Sequence, residues 1–225
     1  MSQTFDPAVA KALESAIGHG PPLEDAEWRK LKELTIHHAR DLTGIERCAE
    51  LTMLFVLGCD AVDIKTISRL TSLKSLVVTD SGLTSLDGMG DLSLMQFDIS
   101  QNLVTDLTPL LSLRNVQNLD TIGNPLTVES YDEVLPELRG RGMYITSSDR
   151  SEWELTLRMQ EAGLPFICYR ADNILRLASP GFRLTKLPDY GHSAVTEDEL
   201  RKALDEDPQR VYRLFDRKDQ VWSLE

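Results

Sequence analysis

Leu94-Met95-Gln96-Phe97-Asp98-Ile99-Ser100-Gln101-Asn102-Leu103-Val104-Thr105-Asp106-Leu107-Thr108-Pro109-Leu110 decides how this chain folds. Leu94, Phe97 and Ile99 are spaced so that the last two alternate along a short strand and point the same way. Asn102 follows where the chain must turn out of that strand, and its side chain can bond neighbouring backbone groups there. Leu103, Leu107 and Leu110 then supply apolar contacts on the return path.

Working outward from this stretch, the same spacing recurs. Copies open at Leu51, Leu73, Leu94 and Val116, with steps of 22, 21 and 22 residues, and a degenerate copy opens at Leu31. Three residues into each copy stand Leu34, Leu54, Leu76, Phe97 and Leu119. Five residues in stand Ile36, Val56, Val78, Ile99 and Thr121, and eight residues in stand Ala39, Cys59, Ser81, Asn102 and Asn124. One such coil cannot bury its own apolar face, but stacked coils share a continuous core and need caps at both ends. The expected fold class is therefore an α/β leucine-rich-repeat solenoid with a short parallel concave sheet, followed by a small α+β domain.

The repeat resembles the 22-residue, internalin-like class of bacterial leucine-rich repeats, and the flanks resemble it too. Asp6-Pro7-Ala8-Val9-Ala10-Lys11-Ala12-Leu13, with a second helix near Leu23–Leu31, looks like the helical N-terminal cap of that class. Asn124-Pro125-Leu126-Thr127, then Tyr131–Leu138 and Arg141-Gly142, looks like its C-terminal cap. The resemblance covers about residues 6–147. It implies a fold and a binding surface, and it names no partner. The expected organisation is a cap over 1–30, about five repeats with their C-terminal cap over 31–147, and a separate domain over 150–225.

In that last region Ser147–Arg150 reads as a linker, and Ser151-Glu152-Trp153-Glu154 as a capping box with Ser151 as N-cap of a helix that stops at Gly163. Pro165–Arg170 and Ile174–Ala178 flank Ala171-Asp172-Asn173 as a β-hairpin. Thr196-Glu197-Asp198-Glu199 is a second capping box, opening a helix that ends before Pro208. Val211–Phe215 reads as a strand, paired with Val221–Leu224.

The chain has 225 residues, 41% hydrophobic and only 6% aromatic, so aliphatic side chains must fill its core. Its net charge of −12 repels phosphate backbones and argues against direct nucleic-acid binding. The same charge favours a protein partner with a basic surface. Met1–Asp6 lacks the basic and apolar regions of a signal peptide, and no apolar run approaches the ~18 residues that cross a bilayer, so no membrane association is expected. Cys48, Cys59 and Cys168 are odd in number and widely spaced, which suits a reducing cytoplasm better than a disulfide framework.

Little in the sequence points to chemistry. Gly88-Met89-Gly90 stands alone, outside any dinucleotide-binding context. His37 and His38 are adjacent on a strand, point to opposite faces, and read as surface or capping residues rather than metal ligands. His192, in Asp189-Tyr190-Gly191-His192-Ser193, is the one residue of the second domain that invites a catalytic reading, and it has no evident partner in sequence. No catalytic residue, metal or cofactor is expected.

The outward positions of the strands are more informative. Copy two places Met53, Phe55 and Leu57 where residues should face water. Val77 and Thr79, then Asp98 and Ser100, then Asp120 and Ile122 continue these columns. The nine residues form the expected partner-binding concave face, apolar at its centre with carboxylates to one side. The C-terminal domain folding back over this face is the competing expectation. The functional expectation is a non-enzymatic interaction module, in concrete form an acidic inhibitor or immunity-type protein that neutralises a basic toxin or enzyme. An adaptor with two binding surfaces, or an effector with activity in the C-terminal domain, are the alternatives.

Overall fold

The computed structural model describes residues 5–60, 62–90 and 92–216. At its N-terminus Asp6 caps helix α1 (Pro7–Ile17), its carboxylate accepting from the Ala8 N–H at 2.8 Å. Pro7 sits where its missing N–H costs nothing, and Val9 and Leu13 face the first coil. A reciprocal Glu24–Glu27 capping box opens α2 (Asp25–Lys30), which buries Trp28.

Six strands follow in one parallel sheet, in sequence order: β1 (Glu33–His37), β2 (Met53–Leu57), β3 (Ser75–Thr79), β4 (Gln96–Asp98), β5 (Asn118–Asp120) and β6 (Tyr144–Thr146). Leu34, Leu54, Leu76, Phe97 and Leu119 are directly paired across β1 to β5, as the repeat spacing requires. All five are buried. The sixth strand, contributed by the C-terminal cap, was not anticipated, and it continues the register with Ile145 opposite Leu119. The return paths are short: a 3-10 turn at Ile45–Arg47, one turn of helix α3 (Ile64–Ile67), and a 3-10 turn at Thr108–Ser112. Leu70, Leu92 and Leu113 close the core behind them.

The turn position forms a ladder of buried hydrogen bonds. Asn102 donates to the Val78, Ile99 and Ser100 carbonyls and accepts from the Ser81 and Leu83 N–H groups. Asn124 does the same one coil on, accepting from Val104 and donating to Ile99 and Thr121. Ser81 and Cys59 carry the ladder back to coil one with fewer bonds, since a hydroxyl or thiol has fewer donors than an amide. These contacts satisfy backbone groups that a coil leaves unpaired where it leaves the sheet.

The residue just before each ladder position is left-handed in every coil. His38, Gly58, Asp80, Gln101 and Gly123 have φ of 58°, 58°, 51°, 57° and 71°. Three of the five are not glycine, which is an uncommon backbone state for such residues. This column is where the rest of the chain docks.

Ser147–Arg150, read from its composition as a linker, is tied to the C-terminal cap although Asp149 and Arg150 are exposed. Ser148 is buried, accepts from the Gly123 N–H at 2.9 Å, and so adds one more rung to the ladder. The Tyr131 hydroxyl donates to its carbonyl. Arg139 donates to Ser147, and Arg150 pairs with Asp132. Helix α4 (Leu135–Gly140) completes the cap. Helix α5 (Arg150–Glu161) then begins two residues earlier than expected. Asp149, not Ser151, is its N-cap, because the Asp149 carboxylate reaches the Glu152 N–H at 2.9 Å. Ser151 lies inside the helix and donates instead to Glu197. Trp153 leaves the C-terminal unit altogether. It stacks on Tyr131 at 4.3 Å between ring centres and donates to the Leu126 carbonyl, so it belongs to the repeat core.

Beyond α5, strands β7 (Ile167–Ala171) and β8 (Ile174–Ala178) form the expected hairpin, with Asp172 and Asn173 both left-handed as a two-residue turn needs. A third strand, β9 (Ser193–Val195), pairs antiparallel with β8. The Thr196–Glu199 capping box opens α6 (Glu197–Glu206). Val211–Phe215 is a helix, α7, and not a strand. Asp207 and Pro208 start the preceding 3-10 turn, and Val211, Leu214 and Phe215 are buried at helical spacing against Phe166 and Leu204. The partner strand expected at Val221–Leu224 lies outside the described residues.

The concave face and the seam beside it

Phe55, Val77, Asp98 and Asp120 stand opposite one another on four consecutive strands, so they form one straight row on the concave sheet. All four are half-buried, as are Leu57 and Thr79, while Met53 is 37% exposed. Each carboxylate of the row accepts a hydrogen bond from the backbone two residues on, Asp98 from Ser100 and Asp120 from Ile122. Burial pushes the Asp120 carboxyl up to about 6, and repulsion from Asp98 adds to it against the Ile122 bond.

Two of the nine expected face residues are taken by the chain itself. Ser100 is buried. Ile122 packs in a small cluster with Leu103, Ile167, Tyr169 and Ala178, formed where the β7–β8 hairpin meets the last coils. The remaining seven keep part of their surface among the described residues. The C-terminal unit thus covers a different column from the one expected to be its alternative docking place.

That column is the left-handed one. The loop from Ser179 to His192, between β8 and β9, runs along it. The Gly181 N–H donates to the Asp80 carbonyl, and the Phe182 N–H to the Asp60 carboxylate. The Phe182 ring lies under the Arg40 guanidinium at 4.9 Å. Asp189 accepts from His38 at 2.6 Å, with His37 at 4.0 Å. Gly58 makes this approach possible: a Cβ there would stand 2.7 Å from the Asp189 carboxylate. At the far end, a Cβ on Gly123 would stand 3.1 Å from Ile167. His38, expected as a surface or capping residue, is half-buried in this seam.

The centre of the seam is polar. His192 is buried between the Tyr169 hydroxyl, 2.6 Å from Nδ1, and the Pro188 carbonyl, 2.6 Å from Nε2. The carbonyl can only accept, so Nε2 carries a proton, and Nδ1 shares the second hydrogen bond with the Tyr169 hydroxyl. Both ring nitrogens are engaged within the chain. Asp80, only 5% exposed, has its carboxylate 3.5 Å from Nε2. The Gln101 amide, with its nitrogen turned toward Asp80, donates to both carboxylate oxygens at 2.8 and 3.2 Å. Burial raises the Asp80 carboxyl well above the usual carboxylate range, and the charges of Asp189 and Asp98 raise it further. Sequence reasoning missed Asp80, Asp189 and Tyr169. The available signal was Gly58 and Gly123 standing in one column of the repeat.

The thiols show no activation. Burial pushes Cys48 and Cys168 up to about 12 and Cys59 up to about 11. Among the described residues no group of three His, Cys, Asp or Glu side chains could hold a metal ion, and no helix is long and apolar enough to cross a membrane.

No protein-family model matches the chain, and no curated protein matches it in sequence. Among solved structures, internalin C2 of Listeria monocytogenes is similar with a TM-score of 0.44 and 19% identity, over 68% of this chain and 80% of that one. An internalin, InlF, of the same organism is similar with a TM-score of 0.38 and 14% identity, over 65% of this chain and 59% of that one. The internalin-like reading of this chain rests on its own repeat register, which the six-stranded sheet displays coil by coil; in that register the chain resembles the internalin leucine-rich repeats.

Proposed function

We propose that this chain is a non-enzymatic protein-interaction module whose concave face holds a partner segment that is apolar at its centre and basic beside it. In its concrete form the proposal is a cytoplasmic inhibitor that neutralises a basic toxin or enzyme, as an immunity protein does. The observation that carries it is the row itself: Phe55 and Val77, flanked by the open Met53 side chain, run straight into Asp98 and Asp120 on adjacent strands. An aromatic anchor beside carboxylates supplies burial for affinity and charge for on-rate and selectivity. The net charge of −12 and the absence of a disulfide among three buried cysteines support the basic partner and the reducing compartment. The engagement of both His192 nitrogens within the chain supports a positioning role over a catalytic one.

Selection of binders from a random peptide library tests this reading. Wild type should enrich peptides that pair an aromatic or large aliphatic residue with Arg or Lys a few positions away. Phe55→Glu should lose them while its melt stays within about 1 kcal/mol of wild type, since the side chain is outside the core. In the native host, the protein captured by wild type and lost by Phe55→Glu should be basic, and its activity should fall on addition of the wild-type chain. Enriched peptides that bind Phe55→Glu equally well would overturn the concave-face reading. A captured partner that is acidic, or one whose activity is untouched, would overturn the inhibitor reading alone.

A further inference from the structure

Between the sheet and the docked loop lies a cavity of about 330 Å³, walled by Asp80, Gln101, Tyr169, Arg176, Tyr190 and His192. We infer that this cavity is a side-chain pocket for an arginine of the partner, set at the acidic end of the concave row. The inference rests on the interaction-module reading and names the chemistry that its basic component must have.

Three observations lead there. The first is the state of Asp80. A carboxylate this deeply buried ordinarily takes charged or multiple backbone donors. Here the Nε2 proton of His192 is directed at the Pro188 carbonyl at 2.6 Å, against 3.5 Å to Asp80. The Gln101 amide is the neutral group that serves both Asp80 oxygens. A guanidinium has the planar, paired N–H groups that a carboxylate is built to accept. The second is the field. Asp98 acts on both Asp80 and Asp120, and Asp189 acts on Asp80, so the carboxylates of the row and of the cavity share one field. Burial first, and then the charges of Asp189 and Asp98, disfavour the ionised Asp80 carboxylate, and a cation in the cavity offsets both. The third is the mouth. Tyr190 is 58% exposed at the cavity edge, where its ring can cover the stem or the plane of an arginine. Arg176 stands on the same wall and reaches toward the His192 carbonyl at 3.5 Å.

The cavity is also made by the fold rather than by side chains alone. Asp80 and Gln101 occupy successive left-handed positions of the repeat, which turns both side chains toward the loop carrying Tyr190 and His192. Neither the repeat alone nor the C-terminal unit alone contains it.

The test needs no partner. N-acetyl-arginine amide is titrated into the full chain, followed by amide nuclear magnetic resonance, with N-acetyl-citrulline amide as the neutral analogue of the same shape. The arginine compound should shift the Gln101 side-chain amide and the backbone signals of Asp80 and Tyr190 saturably. The citrulline compound and the Asp80→Asn variant should each bind at least tenfold more weakly. Tyr190→Ala keeps the test open if Asp80→Asn fails to fold: it should weaken the arginine compound severalfold and leave the melt unchanged. Equal binding of both compounds, or shifts scattered away from the seam, would overturn the pocket. Loss of partner capture in Phe55→Glu, together with no arginine binding, would remove the pocket and leave the concave-face reading standing.

Discussion

The same five coils carry two columns three residues apart, and the chain treats them in opposite ways. The concave row of Phe55, Val77, Asp98 and Asp120 keeps part of its surface open among the described residues. The left-handed column of His38, Gly58, Asp80, Gln101 and Gly123 is covered by the C-terminal unit. One column has large side chains on regular strand backbone; the other has glycines or strained residues on turning backbone. Close approach of a second backbone needs small residues and unpaired polar groups, and the turning column offers both. A flat strand surface with a large apolar side chain offers area instead, which suits a separate molecule. The difference teaches that the second unit is fixed along one rim of the repeat and leaves the neighbouring row partly open.

The largest effect is expected where both columns depend on one support. Leu76 is fully buried between coils two and four, next to Val77 and four residues ahead of Asp80. Leu76→Ala should cost about 2–5 kcal/mol, as large-to-small core changes do. The melt should remain a single transition, because Trp153 and Ser148 tie the C-terminal unit into the repeat core. Two separated transitions, seen by fluorescence and by circular dichroism, would show that the columns belong to independent bodies.

A smaller effect should separate the columns. Gly58→Ala places a left-handed alanine in the seam, and its Cβ meets the Asp189 carboxylate that His38 holds. Gly18→Ala is the control. It is also left-handed, at the end of α1, but a Cβ there meets nothing within 4 Å. Both should lose about 1–2 kcal/mol for the backbone. Gly58→Ala should lose about 1 kcal/mol more for the displaced contact, and amide exchange in residues 180–192 should quicken in it alone. Equal losses and equal exchange would mean that the seam does not hold the loop.

How far the two columns could be read in advance follows from their chemistry. The inward positions repeat every 20 to 22 residues and are apolar in all but Thr121, so the register of the sheet and the ladder at Cys59, Ser81, Asn102 and Asn124 were legible. The left-handed column was not, because His38, Asp80 and Gln101 carry no mark of their backbone state, and only Gly58 and Gly123 hint at it. Asp80 acquires its environment from Asp189 and His192, more than 100 residues away, which no local spacing conveys. In the C-terminal unit, Val211–Phe215 is rich in β-branched and aromatic residues and reads as a strand. Burial at 211, 214 and 215 makes it a helix, and the Asp207-Pro208 start was the local clue. Ser151 and Asp149 are both residue types that cap well, two positions apart at the start of the same helix. The choice fell to Asp149 because Ser151 is drawn into the contact with Glu197 and Arg201.

The smallest effect lies at the boundary between the columns and depends on pH. The Asp120 carboxyl is raised from an ordinary value near 3.8 to about 6, mostly by burial. Between those values the folded chain therefore binds more of this proton than the unfolded chain does. A raised carboxyl opposes folding once ionised, so its contribution to stability falls as pH rises through that window and is most unfavourable above about 6. Asp120→Asn removes the ionisation and keeps an oxygen for the Ile122 N–H. A shift of this size converts to about 3 kcal/mol, and solvent reaching the half-buried group should cut the gain to about 1 kcal/mol. The variant should therefore melt higher than wild type at pH 7.5 and level with it near pH 4. At pH 7.5 it should also associate more slowly with a basic partner, because the row has lost a charge. Those two changes run in opposite directions, as they must if the carboxylate is kept for binding at a cost in stability. A variant that is both less stable and slower to bind at pH 7.5 would make Asp120 a structural residue and would cut the acidic end from the face.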